Sequence, residues 1–261
     1  MDELKGLPSE ELIQKKIKWE KEHACERFEK QYSAMVEKLK KGETFSHIRY
    51  GDGECNCCLT TLRQSSAVNY DGDYYGAPTL NKEMVKALTS PILSDDFIYG
   101  MADHCGTWTA EMKENGIWSD KIKFWNAEVF IWATVFGQID ILFNMLKKVN
   151  SVLVSPPYLT KTNIKFNTHI ETPTQNTWSG RGHDLVEELY QKAIKMPEKS
   201  VFLFCTGMST IPIIYYLHNK LKGRHFLIDI GSVIDPYVDE GRYRSWMELI
   251  PPKRKKQWIK Q

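Results

Sequence analysis

Three stretches set glycine beside charged or hydroxyl side chains directly after an apolar run. In Arg49-Tyr50-Gly51-Asp52-Gly53-Glu54, two carboxylates stand at i and i+2 around a glycine. That spacing lets both face one hard cation, while the glycines allow a tight turn and close approach of a ligand. Arg49 adds a planar cation suited to phosphate. The same residues would also serve as a polar turn with a surface ion pair. Cys205-Thr206-Gly207-Met208-Ser209-Thr210 follows a second apolar run and opens a helix. Backbone N–H groups there suit a phosphate, and Ser209 and Thr210 can either cap the helix or bond a ligand. It is not a Walker-type loop, because the Gly-Lys-Ser/Thr element is missing. The third stretch, Asp229-Ile230-Gly231-Ser232-Val233-Ile234-Asp235-Pro236-Tyr237, has a carboxylate inside an apolar run. Charge is costly there unless paired. Arg242, Tyr243, Arg244 and Trp246 follow. They suit a phosphate, a base or a sugar ring, or a solvated surface turn.

The elements that must position these residues follow from periodicity. Residues 9–40 read as an amphipathic helix with Ser9 as N-cap and Glu10 and Glu11 in its first turn. Strand-like alternation at 45–50 runs into Gly51, and 96–100 is a second short strand. Residues 126–148 are apolar and end on Lys147 and Lys148, predicting a long helix. An alternating rhythm then sets in: strands at 151–154, 169–173, 201–204 and 226–230, helices at 183–195 and 209–222. Continuous apolar strands alternating with helices predict an α/β fold, a Rossmann-like, mostly parallel sheet with helices on both faces. In such sheets ligands bind beyond the carboxyl ends of the strands, where all three stretches fall.

Composition sets the outer bounds. The chain has 261 residues, 42% of them hydrophobic, and Lys+Arg 35 against Asp+Glu 33 gives a net charge of +2. That balance offers no grip on nucleic acid. No apolar run approaches the roughly 18–20 residues of a membrane span, so no transmembrane segment is expected. The acidic start argues against a secretory signal, which predicts a cytoplasmic protein. Three of the six cysteines crowd into Cys55-Asn56-Cys57-Cys58, with no second cysteine pair or histidine pair to complete a zinc site. They read as reduced thiols packed as small hydrophobes. The expected division is an N-terminal helical extension at 1–43, one main domain at 44–250 and a basic tail at 251–261. The tail reads as solvated, with weak membrane-surface contact as the alternative.

Taken together, IRYGDGE, VLVSPPYL leading to HIETPTQNTWSG, VFLFCTGMST, and HFLIDIGSVIDPYV followed by GRYRSW resemble the glycosyltransferases of the GT-D fold type. The resemblance spans about residues 44–246 and is most specific at the Asp-Gly-Glu opening and the Asp-Ile-Gly-Ser ending. It implies a nucleotide-sugar donor, usually a UDP-sugar, a glycan or other hydroxyl acceptor, and a divalent metal, Mn or Mg, held by Asp52 and Glu54. Donor-binding residues would come from Arg49, Gly51, Gly53, Ser155, Gly207, Ser209, Thr210, Ser232, Arg242 and Arg244. A base beside the acceptor hydroxyl is also required if configuration is inverted; Asp103 with His104, Asp229 and Asp235 are the candidates. Asp73 and Trp178 could hold a sugar or be structural. The three cysteines after Glu54 depart from the apolar helix start of that family.

Two other readings remain at this level. Ser155-Pro156-Pro157-Tyr158, the glycine turn and Asp229 mimic the order of an S-adenosylmethionine-dependent amino-methyltransferase, though the glycine turn lacks its Asp-Pro-Phe lead and second glycine. A non-catalytic nucleotide-binding module would keep every turn as simple capping.

Overall fold

The computed structural model describes residues 25–63, 78–173, 178, 181–238 and 244–250. Its β-branched and aromatic runs form β1 (Ser46–Tyr50), β2 (Phe97–Met101), β3 (Phe124–Asn126), β4 (Ser151–Ser155), β5 (Thr168–Glu171), β6 (Val201–Phe204) and β7 (Phe226–Asp229). These make one sheet in the order β3-β2-β1-β7-β6-β4-β5. Every pairing in it is parallel. A parallel sheet needs cover on both faces, and β2, β4, β6 and β7 are accordingly buried at every position.

The cover consists of α1 (Cys25–Lys41), α2 (Asp52–Arg63), α3 (Pro78–Thr89), α4 (Gly106–Glu114), α5 (Val129–Phe136), α6 (Ile139–Leu146), α7 (Gly182–Ala193) and α8 (Thr210–Leu221). One face carries α1, α5 and α6, with Phe28, Tyr32, Phe130 and Leu142 packed against Leu153, Leu203 and Ile228. The other carries α2, α3, α4, α7 and α8, with Leu59, Met84, Met112, Leu189 and Ile214 packed against Val154, Phe202 and Leu227. Helices therefore cover both faces, as expected, and the sheet is wholly parallel among the described strands.

The long helix expected at 126–148 does not form. It divides into α5 and α6, which meet at 99°. Gly137, at φ +88°, closes α5 with a left-handed cap whose N–H bonds the Ala133 and Thr134 carbonyls. Both halves then wrap the core instead of running past it. No single described helix is long and apolar enough to cross a membrane. Three elements, α3, α4 and β3, were not anticipated. In α3 the buried Leu80, Met84, Ala87 and Leu88 fall at helical spacing. The segment at 9–24 and the tail at 251–261 lie outside the described residues.

Candidate active site at the carboxyl edge of the sheet

β1 and β7 lie side by side at the centre of the sheet. From β1 the chain goes to β2 and β3 on one flank, while β4 to β7 fill the other. In open α/β sheets, ligands usually bind beyond the carboxyl ends at such a change of direction.

Arg49, near the end of β1, donates from Nε to Asp229 Oδ1 at 3.1 Å. The same oxygen accepts the Gly231 N–H at 2.9 Å. Asp229 is only 3% exposed, so this pairing is what permits a carboxylate inside the β7 run. Burial raises the Asp229 carboxyl above its ordinary range and the guanidinium limits the rise. For Arg49, burial works against the charge, but Asp229 and Glu54 outweigh it, and the group is held protonated. Gly231 is required twice over. Its φ is +52°, and a Cβ there would overlap the Arg49 guanidinium.

Beyond Tyr50 the chain turns at Gly51 into α2, with Asp52 and Glu54 in the first turn. Glu54 Oε2 accepts the Gly51 N–H at 2.9 Å, the acidic half of a capping box, so this side chain has a structural duty. Burial, with a further push from Asp229, raises its pKa to about 7 against the pull of Arg49. Asp52 is exposed. Among the described residues no group of three His, Cys, Asp or Glu side chains could hold a metal. Two hard carboxylate donors nevertheless fit a magnesium-type ion, which uses one or two protein carboxylates and takes other ligands from water and substrate phosphates.

The short helical segment Gly231–Tyr237 carries the edge onward to Asp235, 2% exposed. Arg244 Nε donates to Asp235 Oδ2 at 2.7 Å and Tyr158 Oη to Asp235 Oδ1 at 3.4 Å. Trp246 Nε1 donates to Ser232 Oγ at 3.2 Å. Burial and then Asp235 and Asp229 push the Cys205 thiol up, which places the end of β6 within their reach. Gly207 turns at φ +60°. Thr206 and Thr210 hydroxyls bond each other at 2.7 Å, while Ser209 Oγ is buried without a partner and makes no cap.

The structure thus gathers Arg49, Gly51, Asp52, Gly53 and Glu54 with Asp229 and Gly231, and sets Asp235, Ser232 and Arg244 next along the same edge. Ser155 is buried and bonds His169 Nε2 at 3.0 Å, with Glu171 Oε1 3.9 Å from His169 Nδ1. Neither His169 nor Glu171 stood out in the sequence, because β5 is too short for its chemistry to be separated from its pattern. Asp103 is exposed, follows β2, the strand that pairs directly with β1, and accepts from Asn126 Nδ2 at 3.0 Å. Trp178 is 4% exposed and packs on Gly182 and the His183 ring, which makes it structural. Arg242, Asp73 and the His104 side chain lie outside the described residues.

The architecture is that of an open parallel α/β sheet, a general class of ligand-binding fold. Solved structures make the fold more particular. A structure described as a new glycosyltransferase of domain of unknown function 1792 from Streptococcus sanguinis matches with a TM-score of 0.57 and 13% identity, over 78% of this chain and 81% of that one. A second, described as that highly conserved domain with a distinct glycosyltransferase fold, matches with a TM-score of 0.52 and 14% identity, over 82% and 90%. No family model and no curated protein matches the chain. The chain therefore has this glycosyltransferase fold, the GT-D type expected from its motifs.

Proposed function

We propose that the chain is a glycosyltransferase that takes a nucleotide-sugar, a UDP-sugar in the first instance, and passes the sugar to a glycan or other hydroxyl acceptor. The observation that carries this reading is the half-buried Arg49, locked to the buried Asp229 across a glycine that admits no side chain, beside Asp52 and Glu54 at the end of β1. The fold shared with described glycosyltransferases supports it.

Transfer breaks the bond between the sugar and the diphosphate, so negative charge grows on the departing oxygen. Arg49 is positioned and permanently charged to meet that growth, and a preorganised cation needs little rearrangement as the charge develops. Asp52 and Glu54 would hold the divalent ion, Mn or Mg, which when bound would offset diphosphate charge. The backbone N–H groups at Gly207 would support a phosphate, and Arg244 and Ser232 would line the donor further along. Asp229 and Asp235 are both buried and spoken for by arginines. Of the three carboxylates considered as base, Asp103 is the exposed one, so in this reading proton acceptance from the acceptor hydroxyl falls to it. Among the described side chains, five buried free thiols fit a cytoplasmic setting. The methyltransferase alternative loses support, because Tyr158 bonds inward to Asp235 instead of presenting its hydroxyl to a target amine.

A panel of nucleotide-sugars with Mn, scored for slow donor hydrolysis, tests the reading without a known acceptor. Turnover of at least one donor is expected. No turnover of any donor, together with no binding, would overturn it; binding without turnover would favour the nucleotide-binding module.

A further inference from the structure

At the opposite edge of the sheet, where the strands begin, the end of α1, the end of α6 and the first residues of β6 and β7 enclose a slot of about 270 Å³. Small-molecule clefts start at roughly 300 Å³, so the space suits a slender ligand. Leu39, Leu142, Met145, Leu146, Val201 and Phe226 form its walls, and Lys40, Lys41 and Lys199 stand at its lip. Lys40 is paired with Glu37 at 2.6 Å. Lys41 feels the same Glu37 carboxylate only through its charge, Lys199 has no carboxylate partner among the described residues, and both are exposed.

Lysines at the end of α1 have an ordinary reason to be there, the negative end of the helix dipole. That reason does not extend to Lys199, which sits in the turn between α7 and β6. Its φ is +61°, in the left-handed region that favours glycine. Its ammonium lies 3.0 Å from where a Cβ on Gly42 would stand. A lysine in a strained backbone conformation, facing a glycine that leaves it room, thus holds an unpaired charge over an apolar slot. Strain that persists at such a place points to use.

We propose that this slot binds an anionic amphiphile, with a single hydrocarbon tail along the apolar walls and an acidic head between Lys41 and Lys199. The head matches the Lys199 ammonium, which has no carboxylate partner among the described residues, and Lys41 beside it, and the tail removes from water a surface that the fold leaves open. Strands of four or five residues, about 13–17 Å long, separate the slot from Arg49 and Asp52, so its occupant would not compete with a donor. The inference is therefore independent of the proposed transferase activity.

Isothermal titration of the full chain with dodecyl phosphate, kept below its micellar concentration, provides the test. Saturable binding at one site is expected, with at least tenfold weaker affinity for a zwitterionic amine oxide of equal chain length and for the K41A/K199G variant. Glycine relieves the φ at position 199, so that variant should keep its melting temperature while losing the ligand. Met145→Trp, which fills the slot and leaves both lysines, should also abolish binding. Absence of saturable binding, equal affinity for the amine oxide or for K41A/K199G, or undiminished binding by M145W would overturn the proposal. So would inorganic phosphate binding at the same affinity as the amphiphile.

Discussion

Gly231 and Arg49 depend on each other atom by atom. Gly231→Ala would force an alanine to φ +52° and drive its methyl into the guanidinium. The backbone conformation alone costs about 1–2 kcal/mol, and displacement of Arg49 from a buried carboxylate adds to it. Urea unfolding should therefore show a loss of about 3 kcal/mol or more. Arg49→Ala should lose a similar amount, because it strands Asp229, and adding Asp229→Asn should restore part of that loss. A deeper residue, His47, titrates out of its usual range. It is fully buried, its Nδ1 lies 3.2 Å from the Asp229 carbonyl, and burial with the nearby Arg49 lowers its pKa to about 3. The unfolded chain takes up this proton near pH 6.5 and the folded chain only near pH 3, so stability falls as pH drops between those values. The slope approaches about 1.4 kcal/mol per pH unit from this one group. Comparing urea unfolding at pH 7 and pH 5, wild type should lose about 2 kcal/mol more than His47→Leu, with other histidines common to both.

At the scale of elements, α2 has two duties that pull apart under mutation. Glu54 caps the helix through the Gly51 N–H and, in the proposed function, would also supply a carboxylate to the metal. Glu54→Ala should remove both, costing about 1 kcal/mol of stability along with activity. Glu54→Gln can still accept the N–H, so it should keep the melting temperature near wild type and lose donor turnover by at least a hundredfold. Retained turnover in Glu54→Gln would dismiss the metal assignment. The cysteines of the same helix are core, with Cys55, Cys57 and Cys58 fully buried and burial pushing the Cys58 thiol up. A maleimide should therefore label none of Cys55, Cys57, Cys58, Cys105 or Cys205 in the native chain and all of them after unfolding. Much of this was legible beforehand, since continuous apolar strands announce a parallel sheet and glycine after a strand announces the ligand edge. What stayed hidden were features set by partners distant in sequence. The Asp229 carboxylate could be placed at a site from its cost alone, but its counterion lies 180 residues away. The break at Gly137 was visible as a residue yet outweighed by the apolar run around it, and β3 is only three residues long.

For the whole molecule, the carboxyl edge gathers Arg49, Asp52, Glu54, Asp229, Asp235 and Arg244 in a chain whose net charge is only +2. Near-neutrality therefore conceals a local arrangement in which two half-buried arginines are each matched to a buried carboxylate. The Arg49 pair is rigid and is made through Nε, so the free protein should already hold the geometry that the proposed donor needs. A preorganised edge predicts that ligand binding adds stability without a large change of shape. A donor at one hundred times its Kd contributes about 2.7 kcal/mol. For a domain of this size that corresponds to roughly 5–10 °C in melting temperature. The right nucleotide-sugar with Mn should give a shift of that order in a thermal melt, and S-adenosylmethionine none. The same experiment on Arg49→Lys separates charge from geometry. Lysine keeps the positive charge but lacks the planar fork that meets Asp229 and a phosphate together. That variant should melt lower than wild type and lose most of the donor-induced shift, whereas a full shift would show that charge alone holds the donor.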